Sequence, residues 1–212
     1  MKDLGNLKYF LRIEVLRSKR GIFISQKKYV LDLLTETGMI DCKPIDTPLM
    51  MNHELQIIEG ADPTDQTLYQ KLVGKLIYLS HTRPDLAYAA GVVSRFMHKP
   101  HKHHLEAVYK ILRYLKKTPG RGVMFEKHGH LDLHAFTDAD WGGYRDSRKS
   151  TSGYFTLVGG NLVTWKSKRQ KVDAMSSAEA EFRGIAKGIT EVLWIRKLLT
   201  ELGYAPKKSY KL

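Results

Sequence analysis

The stretch Ala135-Phe-Thr-Asp-Ala-Asp-Trp-Gly-Gly143 (AFTDADWGG) runs from an apolar segment straight into two aspartates, a tryptophan and a glycine pair. Leu131, Leu133, Ala135 and Phe136 precede Asp138, which sets that aspartate where a central strand emerges. Asp140 shares a face with it if the chain stays extended, because side chains alternate along a strand. Two readings stand at this point. Asp138 is a metal-binding carboxylate at the end of a buried strand, or it belongs to an acidic turn before Gly142-Gly143.

Outward from this stretch, Val123–Phe125, Leu131–Thr137, Gly153–Val158, Leu162–Trp165 and Val172–Met175 read as short extended segments between glycines and charged turns. One long helix follows from Ser177 to Leu202, ended by Gly203. Ser176-x-x-Glu179 forms a capping box, so Glu179 has a structural task at the helix start. Ala178, Phe182, Ile185, Ile189 and Val192 are expected to form the stripe facing the sheet. Glu181 flanks that stripe, one turn from Ala178 and Ile185. A carboxylate there tolerates partial burial best with a cation; the other reading is a surface glutamate reaching water.

The upstream half is mixed. Residues 8–16 and 22–25 predict a hairpin closed by Gly21, and a helix over 27–37 stops at Gly38. Residues 41–66, with three prolines and few periodic apolars, predict a loop. Leu68, Leu72, Val73, Leu76 and Leu79 repeat at helical spacing, as do Leu86, Ala90, Val93 and Phe96 after Arg83-Pro84-Asp85. A helix over 103–117 turns Leu105, Val108, Leu112 and Leu115 inward, and Thr118-Pro-Gly-Arg-Gly122 ends it. The divisions are 1–60, 61–122 and 123–212, and the closing KKSYKL looks like the beginning of another strand.

Thirty-five basic and twenty-two acidic side chains in 212 residues give +13, an excess that favours polyanions, nucleic acid first. The basic residues concentrate at Lys99–Lys127 and Arg145–Lys171. In the second cluster Arg148, Lys149, Lys166, Lys168, Arg169 and Lys171 lie near tyrosines and Trp165, the mixture a phosphate-tracking surface needs. The single cysteine, Cys42, excludes an internal disulfide framework. No signal peptide or membrane-spanning run is visible, which leads to an expected cytoplasmic or nuclear location. His98, His101, His103 and His104 have no carboxylate or cysteine at ligand spacing, which speaks against zinc. No P-loop or dinucleotide glycine pattern is present.

Phe136-Thr-Asp-Ala-Asp-Trp-Gly142, Arg148-Lys-Ser-Thr-Ser-Gly-Tyr154, Val163-Thr-Trp-Lys-Ser-Lys168 and Ser176-Ser-Ala-Glu-Ala-Glu-Phe182 resemble, in order, the ribonuclease H domain of copia-type retrotransposon polyproteins. Lys2-Asp-Leu-Gly5, Tyr9-Phe-Leu11, Tyr69-Gln-Lys-Leu-Val-Gly74, Thr82-Arg-Pro-Asp85 and Ile111-Leu-Arg-Tyr-Leu115 are similar to the tail of that family's reverse transcriptase and its connection. The resemblance implies an α/β fold: a truncated ribonuclease H-like unit of three antiparallel strands and a long helix, behind a hairpin and helical reverse-transcriptase tail. It implies that Asp138 and Glu181 are catalytic ligands of Mg2+, with Asp140 and Glu179 outside the ligand set. It further implies an RNA–DNA hybrid as partner, its RNA told from DNA by the 2′-hydroxyls.

The sequence also departs from that family. Arg12 stands where the family usually has glycine, and Asp173 replaces an apolar strand residue. By the resemblance, the polymerase aspartates are expected before this stretch and the third and fourth nuclease carboxylates beyond the long helix, so that two of the four are expected within these 212 residues. Two divalent ions about 4 Å apart repel by about 16 kcal/mol at an effective dielectric near 20, and two carboxylates offset half of that charge. The expectation is a chain that does not cleave RNA by itself. The alternatives are an active nuclease completed by carboxylates from elsewhere, and a non-catalytic nucleic-acid-binding module with a basic surface.

Overall fold

A computed structural model describes residues 5–50, 53, 55–143 and 147–204. The expected strand start at 207–212, Arg145 and residues 2–4 of the first motif lie outside the described residues. The chain divides into two compact units, Met1–Met124 and Phe125–Leu212.

β1 (Tyr9–Phe10), β2 (Ile13–Arg17) and β3 (Gly21–Ser25) of the first unit form one sheet with β4 (Gly122–Glu126), which begins in that unit, in the order β1-β2-β3-β4. The 8–16 segment is therefore two antiparallel strands, not one. Leu11 and Arg12, at φ 47° and 61°, turn the chain between them. Both angles are in the left-handed region, where a Cβ costs about 1–2 kcal/mol. Glycine carries no such cost at position 12. The Arg12 guanidinium lies 5.2 Å from the centre of the Tyr29 ring, a contact worth about 0.5 kcal/mol at an exposed site. Arg12→Gly is thus expected to raise stability by about 0.5–1 kcal/mol in denaturant unfolding; a loss would show that the cation–ring contact dominates.

Helix α1 (Lys27–Glu36) ends as its sequence demands. Gly38 takes φ 65°, the Met39 N–H donates to Leu34 O at 2.7 Å and the Gly38 N–H to Thr35 O at 3.1 Å, which satisfies the last carbonyls. Helix α2 (Gln66–Leu79) begins where the Asp65 carboxylate accepts from the Leu68 N–H. It buries Tyr69, Leu72, Val73, Leu76 and Leu79, while Leu68, expected inward, is exposed. The Tyr69 hydroxyl donates to Val93 O at 2.7 Å, and that partner is why the larger, polar-tipped ring goes inside. Helices α3 (Ala87–Ser94) and α4 (Lys102–Lys117) complete this core.

The Thr82-Arg-Pro-Asp85 motif is a buried polar node. The Arg83 side chain, 1% exposed, grips Asp85 with two hydrogen bonds of 2.9 and 2.8 Å. It also donates to the carbonyl and hydroxyl oxygens of Thr118, both at 2.8 Å. The Tyr114 hydroxyl donates to Asp85 at 2.6 Å, and Arg121 donates to Tyr114 at 2.8 Å. One guanidinium thereby ties the C-terminal end of α4 to the turn that starts α3.

In the second unit, β5 (Leu133–Ala139), β6 (Thr151–Val158) and β7 (Asn161–Arg169) form an antiparallel sheet in the order β5-β6-β7, and α5 (Ser177–Glu201) packs on one face. Four sequence expectations are corrected. Val123–Phe125 falls in β4 and joins the first unit's sheet. Val172–Met175 is not a strand but a bent connection, held by Trp141 Nε1 donating to Ala174 O at 3.0 Å and Arg183 donating to Val172 O at 3.2 Å. Asp173 accordingly sits on an exposed bend rather than in a strand. The buried stripe of α5 is Ala180, Gly184, Gly188, Val192 and Ile195; Phe182 and Ile189 are exposed. Small residues let the helix approach the sheet closely: a Cβ on Gly184 would sit 3.5 Å from Asp138 O and 3.6 Å from Ala139 Cβ. Among the described residues no helix is long and apolar enough to cross a membrane.

Candidate functional site

Leu133 and Ala135 of β5 pack with Val192 and Ile195 of α5, while Gly184 lies against Asp138 and Ala139. Helix α5 therefore runs antiparallel to β5, and its first turns overhang the C-terminal end of that strand. Pleating sends Leu133 and Ala135 to the helix side and Asp138 to the other face. There Asp138 is exposed, in register with Gly153 and, across β6, with Ser167. The adjoining row on the same face is Phe136, Phe155 and Trp165, and the two phenylalanine rings stack at 4.8 Å.

Glu181 is half-buried on the first turns of α5. Taking Gly184 as the centre of the buried stripe, 100° per residue puts Glu181 about 60° to one side. Lys187 and Glu191 fall on the other side, beside β7. Since β5 and β7 are the two edges of the described sheet, Glu181 leans toward the β5 edge. The two carboxylates thus stand at one corner of the sheet, Asp138 from its outer face and Glu181 from the overhanging helix. Among the described residues neither forms an ion pair.

Neighbouring acids have structural tasks. Asp140 and Thr151 close the strand ends on each other: the Asp140 N–H donates to Thr151 O at 3.1 Å, and the Thr151 N–H to the Asp140 carboxylate at 2.5 Å. A Cβ on Gly143 would meet the Asp140 carboxylate at 2.6 Å, so a side chain there would have to displace that acid from its bond to Thr151. Glu179 accepts from the Met175 N–H at 2.7 Å and pairs with Arg183 at 2.6 Å, while Ser176 Oγ accepts from the Glu179 N–H at 3.1 Å. The Met175 bond, with Arg183 adding to it, holds the Glu179 carboxyl below the usual glutamate range. Ser176 makes its half of the expected capping box, while Glu179 bonds the Met175 N–H, one residue before the Ser176 N–H that such a box uses.

The six basic candidates do not share one surface. Lys166 and Lys168 face the α5 side of β7, paired with Tyr154 and Ser152. Arg169 alternates to the opposite face. Lys149 donates to Lys171 O at 3.0 Å, next to exposed Arg148, whose φ is 50°. Lys187, which no local clustering in the sequence singles out, joins Lys166 and Lys168 across the helix–strand groove.

One ring nitrogen from each of His101, His103 and His104 lies within 4.8 Å of the other two. Their contacts are those of a helix start. His104 Nδ1 accepts from the His101 N–H at 3.0 Å, which leaves the proton on Nε2. Nε2 meets Gln56 O at 3.0 Å, and the His104 ring stacks on Phe96 at 3.8 Å. A ring whose Nε2 keeps its proton has no lone pair there for a metal.

No protein-family model matches the chain, and no solved structure matches it. Curated proteins do. The chain is 46% identical over 203 residues to the retrovirus-related Pol polyprotein from transposon RE1 of Arabidopsis thaliana, a match covering 96% of this chain and 14% of that protein. It is 38% identical over 217 residues to the Pol polyprotein from transposon TNT 1-94 of Nicotiana tabacum, covering 98% of this chain and 16% of the relative. An uncharacterized mitochondrial protein of Arabidopsis thaliana is 39% identical over 196 residues, 92% of this chain and 80% of its own length. The chain spans about a seventh of the Pol polyproteins it matches. With such identity running through both compact units, the chain belongs to the family of retrovirus-related Pol polyproteins of copia-type transposons.

Proposed function

We propose that the second unit is the ribonuclease H-like part of a Pol polyprotein, and that Asp138 and Glu181 are metal-holding carboxylates for hydrolysis of RNA in an RNA–DNA hybrid. The observation that supports this most is that both residues lie near the C-terminal end of β5, Asp138 on the strand and Glu181 one turn before Gly184, which packs on Asp138 and Ala139, although they are 43 residues apart in sequence. Their donor atoms are oxygens, the class magnesium prefers, and their neighbours Asp140 and Glu179 are already committed to backbone N–H groups. Bound magnesium would supply a water of lowered pKa and stabilise charge on the leaving oxygen. The chain itself orients the carboxylates: the Asp140–Thr151 closure fixes the strand end and the Ser176–Glu179 cap fixes the helix start.

In a full-length Pol polyprotein carrying this stretch, Asp138→Asn and Glu181→Gln are each expected to slow magnesium-dependent hybrid cleavage at least about 10³-fold, a loss of about 4 kcal/mol of transition-state stabilisation. Hybrid binding should persist. Cleavage that survives both substitutions contradicts the assignment. For the 212 residues alone we expect binding without turnover, because two carboxylates offset half the charge of an ion pair. The second reading, a binding module without chemistry, draws on the +13 charge and the lysine groove; it predicts salt-sensitive hybrid binding that Asp138→Asn leaves untouched and no cleavage in any context.

A further inference from the structure

Between β7 and α5 lies a cavity of about 280 Å³ that the carboxylate corner does not use. Lys166 and Lys168 reach it from the edge strand, Lys187 from the helix. The Lys187 ammonium is buried with no hydrogen-bond partner among the described residues. Burial, then the positive charges of Lys168, Lys166 and Arg183, hold its pKa below the usual lysine range.

The remaining lining groups settle the sign of ligand this cavity takes. Ser152 Oγ accepts from Gln170 Nε2 at 2.9 Å, so its own proton is free to donate. The Tyr154 hydroxyl donates to Glu191 at 2.8 Å, which occupies one oxygen of the single acid in the lining. Thr190 gives its proton to Ala186 O at 2.9 Å. Three ammonium groups and one hydroxyl therefore face a single carboxylate that keeps one oxygen open, so the lining carries an excess of two positive charges and donors to spare. A desolvated, unpaired ammonium is costly, and an oxyanion accepting from it repairs that deficit. With each water claiming about 30 Å³, the space admits a phosphate together with several waters.

We propose that this groove is a phosphate-binding site, with Lys187, Lys166, Lys168 and the Ser152 hydroxyl as donors. It lies beside the β7 edge, the opposite edge from Asp138 and Glu181, and it does not depend on their role.

The test is a calorimetric titration of the purified chain with inorganic phosphate, repeated with a short single-stranded deoxyoligonucleotide. Lys187→Met should weaken phosphate binding at least tenfold, and Ser152→Ala several-fold, while Lys110→Met, a charge-matched change on α4, leaves it unchanged. Lys187→Met should also keep or raise thermal stability, since it removes a buried unpaired charge; a clear fall would show that the ammonium is a structural partner and overturn the proposal. Oligonucleotide that competes with phosphate in a Lys187-dependent way identifies a strand phosphodiester as the natural occupant, and phosphate binding without competition identifies a free phosphate. Equal phosphate affinity in wild type and Lys187→Met, or no binding by wild type at millimolar phosphate, refutes the site. Asp138→Asn should not alter this titration, so failure here is separable from failure of the nuclease reading.

Discussion

Arg83→Met is expected to destabilise the first unit by about 3–4 kcal/mol, lowering the denaturant midpoint without loss of cooperativity. Methionine keeps much of the apolar stem but removes every hydrogen bond that Arg83 makes to Asp85 and Thr118. Breaking a buried ion pair by deleting one member leaves the other charge short of compensation, typically at 3–5 kcal/mol. Asp85 keeps Tyr114 and a 3.7 Å approach of Arg121, and its side chain is 27% exposed, which places the loss toward the lower end.

The same node gives a pH signature. Burial opposes ionisation of Asp85, but hydrogen bonds from Arg83 and Tyr114 outweigh it and hold the carboxyl below the usual aspartate range. A folded-state pKa below the unfolded one gives stability that is complete above the unfolded value of about 3.9 and lost as pH falls through the folded value. Stability of the wild type should therefore fall with pH below about 4, and that slope should be shallower in Arg83→Met. An unchanged slope would mean that Arg83 does not set the Asp85 equilibrium.

Gly122→Ala is expected to cost about 3 kcal/mol. A Cβ at that position would lie 2.0 Å from Ile24 O and 3.0 Å from the Phe23 ring. The obstacle is backbone of the paired strand, which cannot rotate away, so the β3–β4 pairing has to open. Overpacking of this kind ranges over about 1–3 kcal/mol, occasionally more. Urea unfolding measures it; a loss below about 0.5 kcal/mol, within the usual surface range, would show that the strands separate freely.

The legible parts of this fold are those where local chemistry and tertiary structure agree. The Gly38 stop of α1 and the Ser176 start of α5 are each set within four residues, and each is in place. The stripe of α5 was illegible for a definite reason. Ala180, Gly184 and Gly188 carry little hydrophobic signal, yet they are buried because the helix sits close to the sheet, while the more apolar Phe182 and Ile189 lie on another face. Val172–Met175 looks like a strand from its apolar residues, but Trp141 and Arg183 bond its carbonyls and leave it bent. Asp138 stands out because an apolar run ends on it. Lys187 does not, since only strand register and helical phase bring it to Lys166 and Lys168, about twenty residues upstream. Arg83 likewise shows in sequence as part of a motif; that it is buried follows from the distant Thr118 and Tyr114.

The account rests on Asp138 and Glu181 acting as one centre, and Mn2+ binding to the purified chain, followed by water-proton relaxation, tests this most directly. The expected result is one weak site, with Asp138→Asn and Glu181→Gln each reducing affinity about tenfold or more and the double variant adding little further, the behaviour of residues that act as a unit. Affinity unchanged by either substitution, or two losses that simply add, would contradict it.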